Sequence, residues 1–180
     1  MPFIIIGALI AMAVVWSVSV HRRLVIMDEN INNAMSQIGV QLSSRFDALT
    51  ILLDLAKGYA TVEIQILIEN IKSRRSAIIA KSRPDDVLKQ EGVIAEALDR
   101  ISVVAEQFPE LKTNENYLKC MKAVDCYEKM VRTSSLIYND SVTKLNRELR
   151  MFPISLLGGM FGFHPRDYLE SGDLPGVKQA

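Results

Sequence analysis

The sequence predicts an all-α protein: an N-terminal transmembrane helix followed by an antiparallel four-helix bundle with long first and last helices. Residues 1–20 contain no charged side chain, which favours a membrane-spanning helix. Further along, apolar residues recur at alternating steps of four and three, as in a coiled coil, and no stretch alternates with period two. The pattern divides the chain into an anchor with a basic flank (1–23), a bundle (24–152), an apolar membrane-proximal segment (153–170) and a disordered tail (171–180).

The N-terminal apolar run, from Phe3 to Val20, is about eighteen residues long and can cross a bilayer core if Leu24 contributes at its edge. A cleaved signal peptide is the alternative, but no basic residue precedes the run, as a signal peptide requires. Arg22 and Arg23 follow the run, and the positive-inside rule then places the N-terminus outside and the rest of the chain in the cytoplasm. The sequence therefore predicts a single-pass membrane protein.

Four amphipathic stretches follow the anchor, and each ends near a glycine or proline that can stop a helix. Their apolar stripes run from Ile31 to Ala56, Ile64 to Ile78, Val87 to Phe108 and Tyr117 to Phe152. Stripes of this spacing joined by short connections favour an antiparallel bundle. Asn139 and Asn146 lie one heptad apart beside the last stripe, and we interpret them as hydrogen-bonding to a neighbouring helix.

Four charged residues occupy apolar positions within these stripes: Arg45, Arg75, Glu91 and Glu128. Because an unpaired buried charge is strongly destabilising, each is expected to have a partner or to reach solvent. If the first and last helices are antiparallel and share the membrane end, Arg45 lies within one turn of Glu128. We therefore predict an interhelical ion pair between these two residues, which would fix the register of the helices. A functional polar site is the alternative.

A charge-free segment, Met151 to Phe163, follows the last helix and is too short to span a bilayer. An even number of helices returns the chain to its starting end, so this segment is expected at the membrane surface beside Arg22 and Arg23. Its membrane-proximal apolar side chains are Phe152, Leu156, Leu157, Met160, Phe161 and Phe163. The sequence leaves open whether they enter the lipid or fold back over the base of the bundle.

The sequence contains no arrangement typical of catalysis or of cofactor binding. Its two histidines, His21 and His164, lie far apart, with no Gly-x-Ser-x-Gly turn and no metal-ligand spacing. Cys120 and Cys126 point about 240° apart on one helix, so they are expected to be free thiols. A formal net charge of zero offers no field to attract nucleic acid. We therefore predict no enzyme activity, no cofactor, no metal site and no nucleic-acid partner.

Seven short motifs along the chain are specific by their order and spacing. They are Val40-Gln41-Leu42 with Arg45; Lys57-Gly58-Tyr59-Ala60 with Glu63; Phe108 to Lys112; Asn114 to Tyr117; Tyr138-Asn139-Asp140 with Val142 and Asn146; Phe152-Pro153; and Gly162-Phe163. Together they resemble the LemA family of bacterial membrane-anchored helical proteins over nearly the whole chain after the anchor. The chain departs from common family residues at Met35, Thr50-Ile51, Val62 and Ser135, so it resembles a divergent member.

The resemblance implies a single-pass protein of the bacterial cytoplasmic membrane that carries a four-helix bundle, and it brings no established catalytic activity. Our leading hypothesis is a non-enzymatic interaction or scaffold protein that presents its helix faces to a protein partner or to copies of itself. The alternative is a lipid-binding or membrane-shaping protein that assembles on the inner face of the membrane, with the bilayer as its partner.

Overall fold

The computed structural model describes residues 2–59 and 62–169, and these residues form six α-helices and no β-strand. The helices are α1 (Pro2–Lys57), α2 (Val62–Ser73), α3 (Pro84–Gln107), α4 (Pro109–Thr113), α5 (Glu115–Arg150) and α6 (Ile154–Met160). The all-α prediction is confirmed. The predicted number of helices, one anchor and four bundle helices, is not confirmed. The predicted anchor and the first predicted bundle helix form one helix, α1, and two short helices, α4 and α6, were not predicted. The predicted tail, 171–180, lies outside the described residues.

The first helix, α1, is uninterrupted over 56 residues, which makes it about 84 Å long at a rise of about 1.5 Å per residue. No glycine or proline lies between Gly7 and Gly39, so nothing breaks the helix at Arg22 and Arg23. In its most apolar stretch of 18 residues, only 6% of the residues are buried. From Leu24 onward, by contrast, one face of the helix is buried. In the described part of the chain, α1 is the one helix long and apolar enough to cross a membrane, and it continues directly into the folded domain.

The other helices pack around the buried face of α1. The long helix α5 lies along α1, α3 also packs against α1, and α2 lies beside the C-terminal end of α1. The apolar core between them includes the fully buried side chains of Phe46, Leu49, Ile94, Ile101 and Val142, which come from α1, α3 and α5. α1 therefore joins an exposed apolar stretch to the central helix of the domain in one continuous helix.

The second helix ends earlier than its apolar stripe predicts. α2 stops at Ser73, and an irregular connection follows as far as the start of α3. In this connection the Ser76 N–H donates to Gln90 Oε1 of α3 at 2.7 Å instead of to a helical carbonyl. The Ile78 carbonyl packs against Gly39 of α1, where any side chain would collide with it. The predicted helix through Ile78 is therefore wrong, because contacts with α1 and α3 outweigh the local periodicity.

The last long helix is capped at its start and is followed by a return of the chain. Asn114 Oδ1 accepts from the N–H groups of Asn116 and Tyr117 at 2.9 and 3.3 Å, which satisfies the first turn of α5. After α6 the chain turns at Gly162, whose φ of 77° suits glycine. Residues 161–169 then run back along α5 without helical structure. We call residues 164–169 the C-terminal strap.

Candidate functional site

The end of the domain nearest the apolar part of α1 is held by an ion pair between α1 and α5. Arg23 Nη2 lies 2.6 Å from Glu148 Oε1, and the carboxylate is buried while the arginine is largely exposed. About three heptads further along α1, Arg45 Nη2 lies 2.8 Å from Glu128 Oε2, which is about three heptads back on α5. The two pairs define one antiparallel register, and this register brings the end of α5 beside Arg22.

The apolar side chains that follow α5 divide between two faces. Phe152, Leu156 and Met160 recur at four-residue steps and are 81%, 65% and 80% exposed. Leu157 and Phe163 instead pack against the core. Each of the two alternatives left open by the sequence thus fits part of the segment: one face is free to meet lipid, and the other closes the base of the domain.

Aromatic rings surround the point where the apolar part of α1 ends. The rings of Phe161 and Phe163 lie edge-on to His21, at centroid distances of 4.8 and 5.8 Å. His21 is followed directly by Arg22 and Arg23. Aromatic rings beside cationic residues are typical of the interface between lipid and water.

A shallow basic groove of about 460 Å³ lies at the same level. Three cationic side chains line it: Arg22 and Arg23 from α1, and Lys144 from α5. Ser19 lies on the membrane side of the groove, within the apolar part of α1. Cations at this height can bind the phosphates of anionic lipid headgroups.

Two asparagines of α5 hold the strap by its main chain. Asn146 Nδ2 donates to the Arg166 carbonyl and Asn146 Oδ1 accepts from the Arg166 N–H, both at 2.9 Å. Asn139 makes the same two bonds with Leu169, at 3.0 and 2.9 Å. Seven helical residues rise about 10.5 Å, and three extended residues span about 10 Å, so the spacing of the asparagines matches that of the bonded strap residues. The interpretation of these asparagines as helix–helix contacts is wrong, because they bind the strap.

Three further contacts hold the strap against the domain. Arg166 Nη2 lies 2.7 Å from Asp28 Oδ1 on α1. The Leu169 side chain is buried in the core. The Tyr138 hydroxyl donates to the Asp167 carbonyl at 3.0 Å, and burial raises the pKa of Tyr138. The strap therefore spans both α1 and α5.

The middle of the domain contains a cluster of charged side chains from three helices. Arg45 of α1 faces both Glu128 of α5 and Glu91 of α3; burial lowers the pKa of Arg45, and the two carboxylates oppose that shift. Burial raises the pKa of Glu91, against the attraction of Arg45. Arg45 Nε is buried and has no hydrogen-bond partner among the described residues. Arg75 lies apart from this cluster and pairs with Asp47 of α1 at 2.7 Å. The cluster joins α1, α3 and α5 in one register.

Metal ligands and reactive thiols are the two other kinds of chemical group that a site in this chain could use. No group of three or more His, Cys, Asp or Glu side chains is placed to bind a metal within the ranges that the structure describes. Cys120 is half-buried, Cys126 is exposed, and both are free. The site therefore consists of two parts. One is the group of cationic side chains Arg22, Arg23 and Lys144 at the base of the domain, and the other is a groove along α5 that binds the backbone of the strap.

Arg22, Arg23 and the apolar segment are predictable from the sequence, whereas Glu148 and Asp28, the partners that complete the site, were not predicted. Glu148 has a signal in the sequence, since it lies about three heptads from Glu128 on the last helix, as Arg23 lies about three heptads from Arg45 on the first. The role of Asp28 has no such signal, because its partner lies on an irregular segment whose path follows no sequence period.

These features define a class of helical protein in which a single apolar N-terminal helix continues into an antiparallel pair of long helices, closed at the base by a returning C-terminal segment. A family model of the LemA family matches residues 34–178. The match includes α1 from residue 34 onward, all of α5 and the strap, and the chain belongs to the LemA family. A search of curated proteins found no match.

Proposed function

We propose that this protein is a non-enzymatic interaction or scaffold protein, anchored in the bacterial cytoplasmic membrane by the first third of α1. The observation that carries the proposal is the continuity of α1. Its exposed apolar part and its core-forming part are one helix, with no glycine or proline at the junction. An unbroken helix transmits the orientation of the anchor to the domain, so the domain would present its faces at a defined height above the bilayer.

The charges that flank the anchor favour one orientation. Arg22 and Arg23 follow the apolar part of α1, and by the positive-inside rule they remain in the cytoplasm. In this arrangement α1, α2, α3 and α5 act as an up-and-down four-helix bundle on the cytoplasmic side, with α4 and α6 as accessory turns. The N-terminus is then outside, and α6 meets the inner face of the membrane.

The outer face of α5 is the surface that we propose for a partner. Met130 and Ile137 lie one heptad apart on one side of α5, and Leu136 borders them on its outer side; the three are 42%, 47% and 62% exposed. Neighbouring exposed apolar side chains on a stable helix are typical of interaction surfaces. Helical proteins of a second kind, or a second copy of this chain, can pack against such a face through ridges and grooves.

Crosslinking of the full-length protein in its native membrane, followed by affinity capture and mass spectrometry, tests the proposal. We expect an abundant partner or a second copy with the wild-type protein, and a reduced yield with Leu136→Lys. Val103→Lys is the matched control, because Val103 is 49% exposed on α3, outside the proposed surface. Equal recovery with all three proteins would rule out this surface. Capture of neither a partner nor a second copy would contradict the interaction role itself.

The exposed face of the base favours a second candidate function, a lipid-binding or membrane-shaping protein. Phe152, Leu156 and Met160 project away from the core, and an apolar face flanked by arginines is typical of interfacial segments. Co-sedimentation of residues 23–180 with anionic liposomes tests this function. Serine at these three positions should abolish binding, whereas serine at Val40 and Ile51 of α1, which are also solvent-exposed, should not. Equal binding by both variants would contradict the lipid-binding function.

A further inference from the structure

We propose that the C-terminal strap exchanges between neighbouring copies of this chain, so that residues 164–169 of one copy occupy the α1–α5 groove of the next. The inference deepens the proposed interaction role and rests on it, since it identifies a second copy as one partner and the strap as the contact. It starts from the way in which the groove holds the strap.

The groove recognises the strap mainly by its backbone. Four of the hydrogen bonds run between the side-chain amides of Asn139 and Asn146 and the main chain of Arg166 and Leu169. Such bidentate amide contacts bind any extended backbone that passes at the right height, in the manner of an added strand. The contacts are the same whether the strap belongs to the same chain or to its neighbour.

Two side-chain contacts restrict the occupant to a segment like the strap itself. The Arg166 guanidinium binds Asp28 through both Nε and Nη2, at 3.1 and 2.7 Å. Three residues later, Leu169 is 3% exposed. A segment that places a cation and an apolar residue three positions apart meets both requirements. A second copy of this chain supplies that segment without any further assumption.

The connection between α6 and the strap is suited to redirecting the chain. Gly158, Gly159 and Gly162 lie within five residues, and Gly162 has a φ of 77°. If α6 stays in place, residues 161–163 can reach about 10 Å when extended, which compares with about 8–10 Å between the axes of packed helices. Exchange therefore requires two copies in side-by-side contact and the release of Phe161 and Phe163 from their contacts with His21 and the core, and it needs no unfolding of α5.

A shared membrane places the strap and the groove of two copies at the same height. The strap leaves the domain beside His21, at the level where the apolar part of α1 ends. Two copies anchored in one bilayer are related by an axis along the membrane normal, and this symmetry keeps each groove level with the other copy's strap. Confinement to two dimensions also raises the effective concentration of one strap near the other groove.

The test uses two differently tagged full-length chains that are co-expressed in the same membrane, both with Cys120→Ser and Cys126→Ser. One chain carries Asp28→Cys and the other carries Arg166→Cys. A short bismaleimide then links the two thiols only if a strap lies in the other chain's groove. We expect a crosslinked dimer that carries both tags, and we expect Asn146→Ala in the groove chain to reduce its yield several-fold.

A matched pair of thiols controls for random collision between chains. Asp54 of α1 and Lys72 of α2 form an equivalent ion pair at 2.5 Å that does not involve the strap, so Asp54→Cys on one chain and Lys72→Cys on the other should give little mixed dimer. The inference is overturned if the strap pair gives no more mixed dimer than this control. A single chain that carries both Asp28→Cys and Arg166→Cys would then report whether the strap stays in its own groove.

These outcomes separate the exchange from the interaction role. If crosslinking in the native membrane captures a second copy, but Asp28→Cys of one chain is not linked to Arg166→Cys of the other, then self-association uses another surface and the proposed exchange is wrong. If the single-chain double variant also fails to crosslink, the strap does not occupy the groove and the exchange is wrong at its first step. Failure to capture any partner or copy contradicts the proposed function whatever the thiols show.

Discussion

Replacing Asn146 by alanine should release the C-terminal strap while leaving the helical domain folded. The substitution removes two hydrogen bonds of 2.9 Å to the backbone of Arg166. Because Arg166 is exposed, water can take over its freed N–H and carbonyl, and the loss is limited to about 0.5–1.5 kcal/mol for each bond. The strap should therefore open with a free energy lower by about 1–3 kcal/mol, or about 5- to 150-fold more often.

Amide hydrogen exchange of Leu169 measures this opening. Leu169 donates to Asn139, which Asn146→Ala leaves intact, so faster exchange at Leu169 reports opening of the strap as a unit. Ser141→Ala is the control, because the Ser141 hydroxyl bonds only to the Ile137 carbonyl of its own helix in this structure. Unchanged protection of Leu169 in Asn146→Ala would refute the view that the two asparagines act together. Loss of protection throughout α5 would show instead that Asn146 supports the helices.

Three further predictions about the stability of the domain can be tested by chemical denaturation. Gly39→Ala should lower the free energy of unfolding by about 1–3 kcal/mol, because the new methyl group meets the Ile78 carbonyl. Gly92→Ala is the control: its methyl group meets no atom within 4 Å, so it should raise the free energy of unfolding by up to about 1 kcal/mol. Equal effects of the two substitutions would contradict the close approach at Gly39. Arg45→Met should lower the free energy of unfolding by about 2 kcal/mol. This is less than the roughly 3–5 kcal/mol lost when one partner of a fully buried ion pair is removed, because the side chain of Glu128 is 33% exposed. An unchanged free energy of unfolding would show that the ion pair does not stabilise the domain. Glu91 has a raised pKa, so the folded state binds a proton that the unfolded state has released, and stability should fall as the pH rises above about 4.5. Glu91→Gln should lessen that fall, and parallel pH profiles for the two proteins would contradict it.

The sequence predicts best those parts of the fold that depend on a regular period. The Arg45 and Glu128 contact follows from two apolar stripes and an antiparallel register, both of which are local or nearly local properties of the helices. The structure places their charged groups 2.8 Å apart. The same reasoning extends to Arg23 and Glu148, which repeat that register about three heptads away.

Other parts of the fold depend on individual contacts that a periodic sequence pattern does not predict. α2 ends early because Gln90 accepts a backbone hydrogen bond and Gly39 admits a carbonyl, and both residues are far from α2 in the sequence. The strap is missed for a similar reason. Asn139 and Asn146 bind backbone atoms, so the sequence of the strap carries little trace of the contact. A pair of asparagines one heptad apart fits several structures, and only the three-dimensional path of the chain selects one.

The proposed scaffold function depends on the continuity of α1 from its exposed apolar part into the domain, because a flexible joint there would remove the defined presentation of the domain. Electron–electron spin distances in lipid nanodiscs test it directly, with labels at Ser19→Cys and Gln37→Cys in a chain that lacks its native cysteines. Both positions are exposed and lie eighteen residues apart on one face of α1, which corresponds to about 27 Å along a helix. A narrow distribution near that backbone spacing is the predicted result. A broad distribution, or one centred at a much shorter distance, would contradict the claim.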